Sequence, residues 1–162
     1  MQTKEAIRFA LTISNRALLN VIDEMSGAAT TFPTPQGGCH PLWVLGHLAL
    51  VEGMIPAALL GEPNAAADWA PLFGENSEPV ADPAAYPTFA EVRAKYVQMR
   101  ERNLQLLDAL SESDLDKPTL APPKGREQEF ATYGRSFLVL ALHQMIHRAH
   151  VTDARRAARV AA

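Results

Sequence analysis

An all-α fold, a four-helix bundle with a long crossover between its second and third helices, is predicted from three observations. Four stretches of roughly twenty residues carry apolar side chains at three- and four-residue spacings, the period of an amphipathic helix. No stretch sustains the alternation with β-branched enrichment that marks a strand. The connecting segments are rich in proline and glycine, and the longest lies between the second and third helices. Binding sites in such bundles are built from side chains on facing helices.

Each element follows from its own residues. The first helix covers 3–26, where Ile7, Leu11, Leu18, Ile22 and Met25 recur on one face with Ala10, Ile13 and Val21 beside them. Thr3 is placed as its N-cap and Gly27 as its stop. The run GAATTFPTPQGGC at 27–39 has nothing to propagate a helix and reads as a loop. The second helix, 40–61, begins with Pro41, whose missing N–H has no intrahelical partner to lose. Trp43, Val44, Leu45, Leu48, Val51, Ile55 and Leu59 supply its bulk, Gly61 ends it, and Pro56 is expected to kink it. Residues 62–87 contain five prolines, which forbids a regular helix; Trp69, Leu72 and Phe73 are expected to pin this segment as a packed crossover.

A capping box, Thr88 with Glu91, opens the third helix. Phe89, Val92, Tyr96, Met99, Leu106, Leu107 and Leu110 mark its inner face. Residues 111–115 read as a frayed end or a single extra turn. Pro118, Pro122, Pro123 and Gly125 break 116–131, and the fourth helix runs from about 132 or 134 to 159.

Composition bounds the function. The 162 residues fit a single domain, with 48% hydrophobic and 20% charged residues. A formal net charge of −3 argues against nucleic acid as a partner. The run Arg155, Arg156 and Arg159 suits the C-terminus of a helix, where the macrodipole favours cations. Cys39 is the only cysteine, so no internal disulfide forms. It stands before the second helix, either as a buried small residue or as a thiol whose pKa the helix lowers. No run is read as a membrane span of about 18 apolar residues, and no membrane partner is expected. The N-terminus reads as a mature helix, which makes a cytoplasmic protein the expectation.

The chemistry centres on LALHQMIHRAHV at 140–151. Positions i, i+4 and i+7 advance by about 400° and 700°, so His143, His147 and His150 share one helical stripe. Leu140, Ser136 and Val139 lie on the same side, which turns that stripe inward. His143 and His147, one turn apart, can offer two nitrogens to one metal ion. A third ligand must come from another helix, and His47, among apolar residues of the second helix, is the candidate. The alternative is a set of buried histidines that satisfy one another. Glu52 lies about 140° from His47 around the helix and is not expected to be a ligand. Tyr133 and Arg148 flank the stripe and are candidates to touch a substrate.

These residues carry a resemblance. W-V-L-G-H-L-A in the second helix, a W…LFG segment after it and H-Q-M-I-H-R-A-H in the last helix resemble the DinB/YfiT-like family of bacterial metalloenzymes over nearly the whole chain. The resemblance implies the bundle with its crossover, a homodimer, and nickel or zinc held by His47, His143 and His147. One departure stands out: many members read H-x-x-x-H-R-G-Q, and here Ala149 and His150 replace Gly and Gln. His150 is therefore not carried over as a ligand; a hydrogen bond to a ligand, a substrate contact or a surface role are all open to it.

Three neutral imidazoles leave a divalent ion its full charge and at least one open position, the arrangement of catalytic sites. Such an ion can activate a bound water or thiol and polarise a carbonyl. Imidazole suits zinc, nickel, copper and iron alike. Members of the family include transferases that use a low-molecular-weight thiol, such as bacillithiol, mycothiol or glutathione, and others described as hydrolases. The expectation is a metal-dependent enzyme on a small-molecule substrate, with S-transfer ahead of hydrolysis. The alternative is a non-catalytic metal- or ligand-binding module, a stress-linked accessory or dimerisation unit.

Overall fold

The structure is a computed structural model and describes residues 1–25, 30–31 and 38–161. The expected stop at Gly27 and most of the 27–39 loop lie outside those residues. Among the described residues five α-helices follow in order: α1 (Thr3–Asp23), α2 (Pro41–Leu60), α3 (Ala70–Phe73), α4 (Phe89–Ala109) and α5 (Tyr133–Ala161). α3 is a single turn inside the segment expected to hold no regular helix, where Pro71 takes a first-turn position that needs no N–H. Short 3₁₀ turns occupy Ala67–Trp69, Pro83–Ala85 and Glu112–Asp116. Among the described residues there is no strand, only an isolated antiparallel bridge between Pro118 and Thr132.

α1 is capped at Gln2, one residue before the expected Thr3. Its buried positions, Ile7, Leu11, Ser14, Leu18, Val21 and Ile22, repeat every three or four residues, so one stripe faces the interior. α2 differs in kind: nearly every side chain is buried, because helices and the 62–87 segment cover it on several sides. By length and composition α2 could cross a membrane, with mean hydropathy 1.6, a window the sequence reading passed over; 89% of that window is buried inside the protein. This is the mark of a central helix that has no polar face to spend on solvent.

The ends of α2 are built from its sequence. The His40 Nδ1 accepts from the Trp43 N–H at 3.1 Å, and the His40 Nε2–H donates to the Val80 carbonyl at 3.0 Å. Gly61 closes the helix at φ +69°, the left-handed conformation that glycine adopts without strain. Pro56 sits inside the helix, which continues past it. Proline has no N–H for the carbonyl four residues back, which is that of Glu52. Asn103 of α4 donates to that carbonyl through Nδ2 at 2.9 Å.

The capping box is present at α4, where the Thr88 side chain accepts from the Glu91 N–H and Glu91 accepts from the Thr88 N–H at 2.8 Å. Ser14 contacts Gln144, the Arg148 Nε donates to the Ala17 carbonyl, and Glu24 pairs with Arg155, so α1 and α5 run in the same direction. Asn15 with Tyr96 and Arg8 with Asp108 show that α4 runs opposite to α1.

The core has two apolar halves. One gathers Leu18, Ile22, Leu45, Leu48, Val92 and Tyr96. The other gathers Ile7, Leu11, Ile55, Leu107, Phe137 and Leu140. Between them lies a polar layer that the periodicity did not announce. Arg100, 2% exposed, pairs with Glu52, 1% exposed, and the Asn103 Nδ2 donates to the same carboxylate at 2.7 Å. Ser14 donates to the Gln144 Oε1 at 2.6 Å, Gln144 Nε2 meets the Tyr96 hydroxyl, and Tyr96 donates to the Asn15 Oδ1 at 2.7 Å.

Candidate metal centre

His47 leaves α2 toward α5, and its ring is fixed on two sides. The Trp43 indole stacks on it at 4.7 Å with planes 8° apart. Its Nδ1–H donates to the Phe73 carbonyl at 2.9 Å. A carbonyl only accepts, so this bond sets the tautomer and leaves Nε2 as a bare lone pair. The carbonyl in turn is held by the burial of Phe73, which is fully enclosed. That ring lies where a Cβ on residue 46 would be, so only glycine at Gly46 admits it. Trp69 and Leu72 pack beside it at the edge of the core, as the sequence led us to expect.

α5 supplies the other two imidazoles, one turn apart. His143 Nε2 lies 3.1 Å from His47 Nε2 and 2.9 Å from His147 Nε2. One ligand nitrogen from each of the three falls within 4.8 Å of the other two. Thus the structure brings together the three histidines that the sequence singled out. The protons available do not satisfy this cluster. His47 Nε2 has no proton to give, and His143 Nε2 carries at most one, which reaches only one neighbour. Protonation is resisted: burial, reinforced by the neighbouring imidazoles, pushes His143 down to about 4 and His147 down to about 2. Burial also lowers His47, against the pull of the Phe73 carbonyl.

A cation would resolve the conflict that the protons leave. Zinc-to-imidazole bonds of about 2.0–2.1 Å in tetrahedral geometry place ligand nitrogens about 3.4 Å apart, a few tenths of an ångström beyond the spacings here. The donor set therefore fits a divalent ion and is compatible with metal binding. Buried His147 Nδ1 has no hydrogen-bond partner, so the protein leaves the tautomer of His147 unset.

The remaining candidates fall elsewhere. His150 stands edge-on to His147 at 5.2 Å but is not part of the trio. Glu52 turns away from the imidazoles to Arg100. Tyr133 donates to the Leu59 carbonyl at 3.1 Å and Arg148 to that of Ala17 at 3.2 Å. Both tie helices together, and neither is among the residues lining the cavity beside the trio. Burial raises the Cys39 thiol, so the helix N-terminus has not activated it.

A cavity of about 460 Å³ opens beside the trio. Trp43, Leu50, Val51, Met54, Phe130 and Val139 give it apolar walls, and Asn64, Glu75 and Arg126 supply polar groups in addition to the histidines. A concave, largely apolar space with a few converging polar groups is the form of a small-molecule site. Glu75 and Arg126 were not foreseen, because they lie in proline-rich segments without periodicity. Gly46 was in plain view as the residue before His47.

The family model of the DinB superfamily matches residues 10–151, most of the chain. No curated protein matches it.

Proposed function

This chain belongs to the DinB superfamily, and from that premise we propose that it is a metal-dependent enzyme acting on a small molecule, with His47, His143 and His147 as ligands of a nickel or zinc ion. The observation that carries this is the meeting of three Nε2 atoms at one point that their own protons cannot satisfy. A divalent ion there would supply Lewis acidity to a thiol or a water. The protein's share is to hold His47 through the Phe73 carbonyl, to exclude water with the Trp43 stack, and to seat the substrate in the adjoining cavity. Among the described residues no serine or cysteine lines that cavity, which favours an external nucleophile such as bacillithiol, mycothiol or glutathione, with S-transfer ahead of hydrolysis.

The arrangement we infer is the four-helix bundle of α1, α2, α4 and α5. α2 and α4 share neighbours in the same order along their length, so the 61–88 segment would return the chain from the end of one to the start of the other. We infer a homodimer as well. Phe9, Leu138, Leu142, Met145 and Ile146 are large apolar side chains left exposed, and the four on α5 form one stripe. The same stripe favours the alternative of a non-catalytic dimerisation module, and one experiment separates the two. Untagged protein is expected to carry about one nickel or zinc per chain, lost in His147→Ala, the stoichiometry of a single three-imidazole site. Incubated with each thiol and a fluorogenic electrophile, it should turn over above the His147→Ala control. Metal without turnover would leave the module; neither would end the metal-dependent reading.

A further inference from the structure

Within the cavity wall only two described residues carry a formal charge, Glu75 and Arg126, and they face each other. Their contact is loose. Arg126 Nη2 lies 3.2 Å from Glu75 Oε1, and Nη1 lies 3.3 Å from Glu129 Oε2. Each is a single-point contact to an exposed carboxylate. Arg156 and Arg159 on the outer surface are held just as loosely, at 3.2 and 3.4 Å, whereas two other arginines show the tight form. Arg93 grips Asp23 through Nε and Nη2 at 2.9 and 2.8 Å, and Arg8 grips Asp108 the same way at 2.7 and 3.1 Å. Two parallel N–H donors matched to two oxygens make the strong form of this interaction, and single exposed contacts contribute little. The fork of Arg126 is thus the one beside the cavity that is held but not filled. Its charge and that of Glu75 both act on His47 and His143, which places the pair close to the imidazoles.

Resting on the function proposed above, we propose that the cavity takes a small, mostly apolar carboxylic acid whose carboxylate displaces Glu75 from Arg126. Its hydrocarbon part lies along Trp43, Leu50, Met54 and Phe130, and its far end reaches the trio. Charge complementarity supports the choice: the imidazoles are neutral, a divalent ion among them is positive, and the single acid in the wall is already shared with Arg126. An amine would meet net positive charge, and a neutral ligand would leave the fork to weak partners.

Hexanoate, hexanamide and hexylamine test this on protein stripped of metal with a chelator, which removes direct coordination as a source of preference. Binding is followed by NMR through the Trp43 indole signal. Hexanoate should bind about ten-fold more tightly than hexanamide, the scale of a charge-assisted bidentate pair, and more tightly than hexylamine. Arg126→Gln should bring hexanoate to within about two-fold of hexanamide, Arg126→Lys should keep part of the preference, and Glu75→Gln should tighten hexanoate by freeing the fork. Equal binding of hexanoate and hexanamide overturns the proposal. So does a preference that survives Arg126→Gln, or a Trp43 signal that hexanoate does not move. Metal content measured before stripping stands apart: a chain without metal that still prefers hexanoate sinks the role of the trio and leaves that of Arg126, and the reverse pattern sinks only the latter.

Discussion

His47 is the imidazole whose orientation the backbone decides; His143 and His147 depend on it and on each other. This asymmetry has a consequence for pH. His143 and His147 are held down to about 4 and about 2 by burial, while in the unfolded chain both titrate near ~6.5. Between those values the unfolded chain binds protons that the folded one refuses, so stability falls as pH drops below about 6.5 and is intact above it. The urea midpoint of the metal-free protein should therefore decline between about pH 7 and pH 5, and the decline should be shallower in His143→Ala. Parallel curves for the two proteins would contradict the assignment of that proton uptake. At this scale the sequence was legible where spacing carries geometry: four residues on a helix is one turn, and that alone paired His143 with His147. It was silent where contact is made by backbone. Nothing in the composition of 62–87 says that the Phe73 carbonyl reaches His47.

Between elements, the polar layer joins α2 to α4. Glu52 is the one charged residue in α2, buried to 1%, and burial raises its carboxyl while Arg100 and Asn103 pull it back. An isolated acid in an apolar helix calls for a cation on the facing one, a signal that was available in the sequence and went unused. Arg100 and Asn103 escaped because a search for apolar periodicity ignores polar positions even when they fall on the inner face. Breaking the pair is expected to be costly. Arg100→Met should lower the unfolding free energy by about 3–5 kcal/mol, because it strands a buried carboxylate. The double variant Glu52→Leu/Arg100→Met should lose less than the single one. Denaturant titrations decide it, and losses that simply add would show that the two residues act independently. Pro56 belongs to the same connection. The carbonyl it leaves without a helical donor is the one Asn103 satisfies, so the expected disturbance of α2 is met from α4.

For the whole molecule, the helical class and the approximate limits of the long helices followed from periodicity and caps, since both are local properties of the chain. The described bounds differ from the expected ones by a few residues, as at α1, which ends at Asp23 where a stop at Gly27 was expected. What periodicity could not deliver was the outer face of α5. Leu138, Leu142, Met145 and Ile146 continue the apolar character of that helix past the width its neighbours cover. A second copy would remove them from water. Leu142→Glu combined with Ile146→Lys should convert a dimer into a folded monomer, read by sedimentation and circular dichroism; a wild-type protein that sediments as a monomer would dispose of the idea.

The spacing of the imidazoles also bears on how an ion would arrive and depart. His47 and His143 are 96 positions apart, so a link between them closes a long stretch of chain, a cost that grows slowly with length but must be met by something. Here the packing of the two apolar cores on either side of the imidazoles meets it. An ion held between two apolar cores would differ from the cations around which small metal-dependent domains condense. Extraction and re-addition ought to be reversible without refolding, and the occupied fraction would follow the supply of free ion in the surroundings.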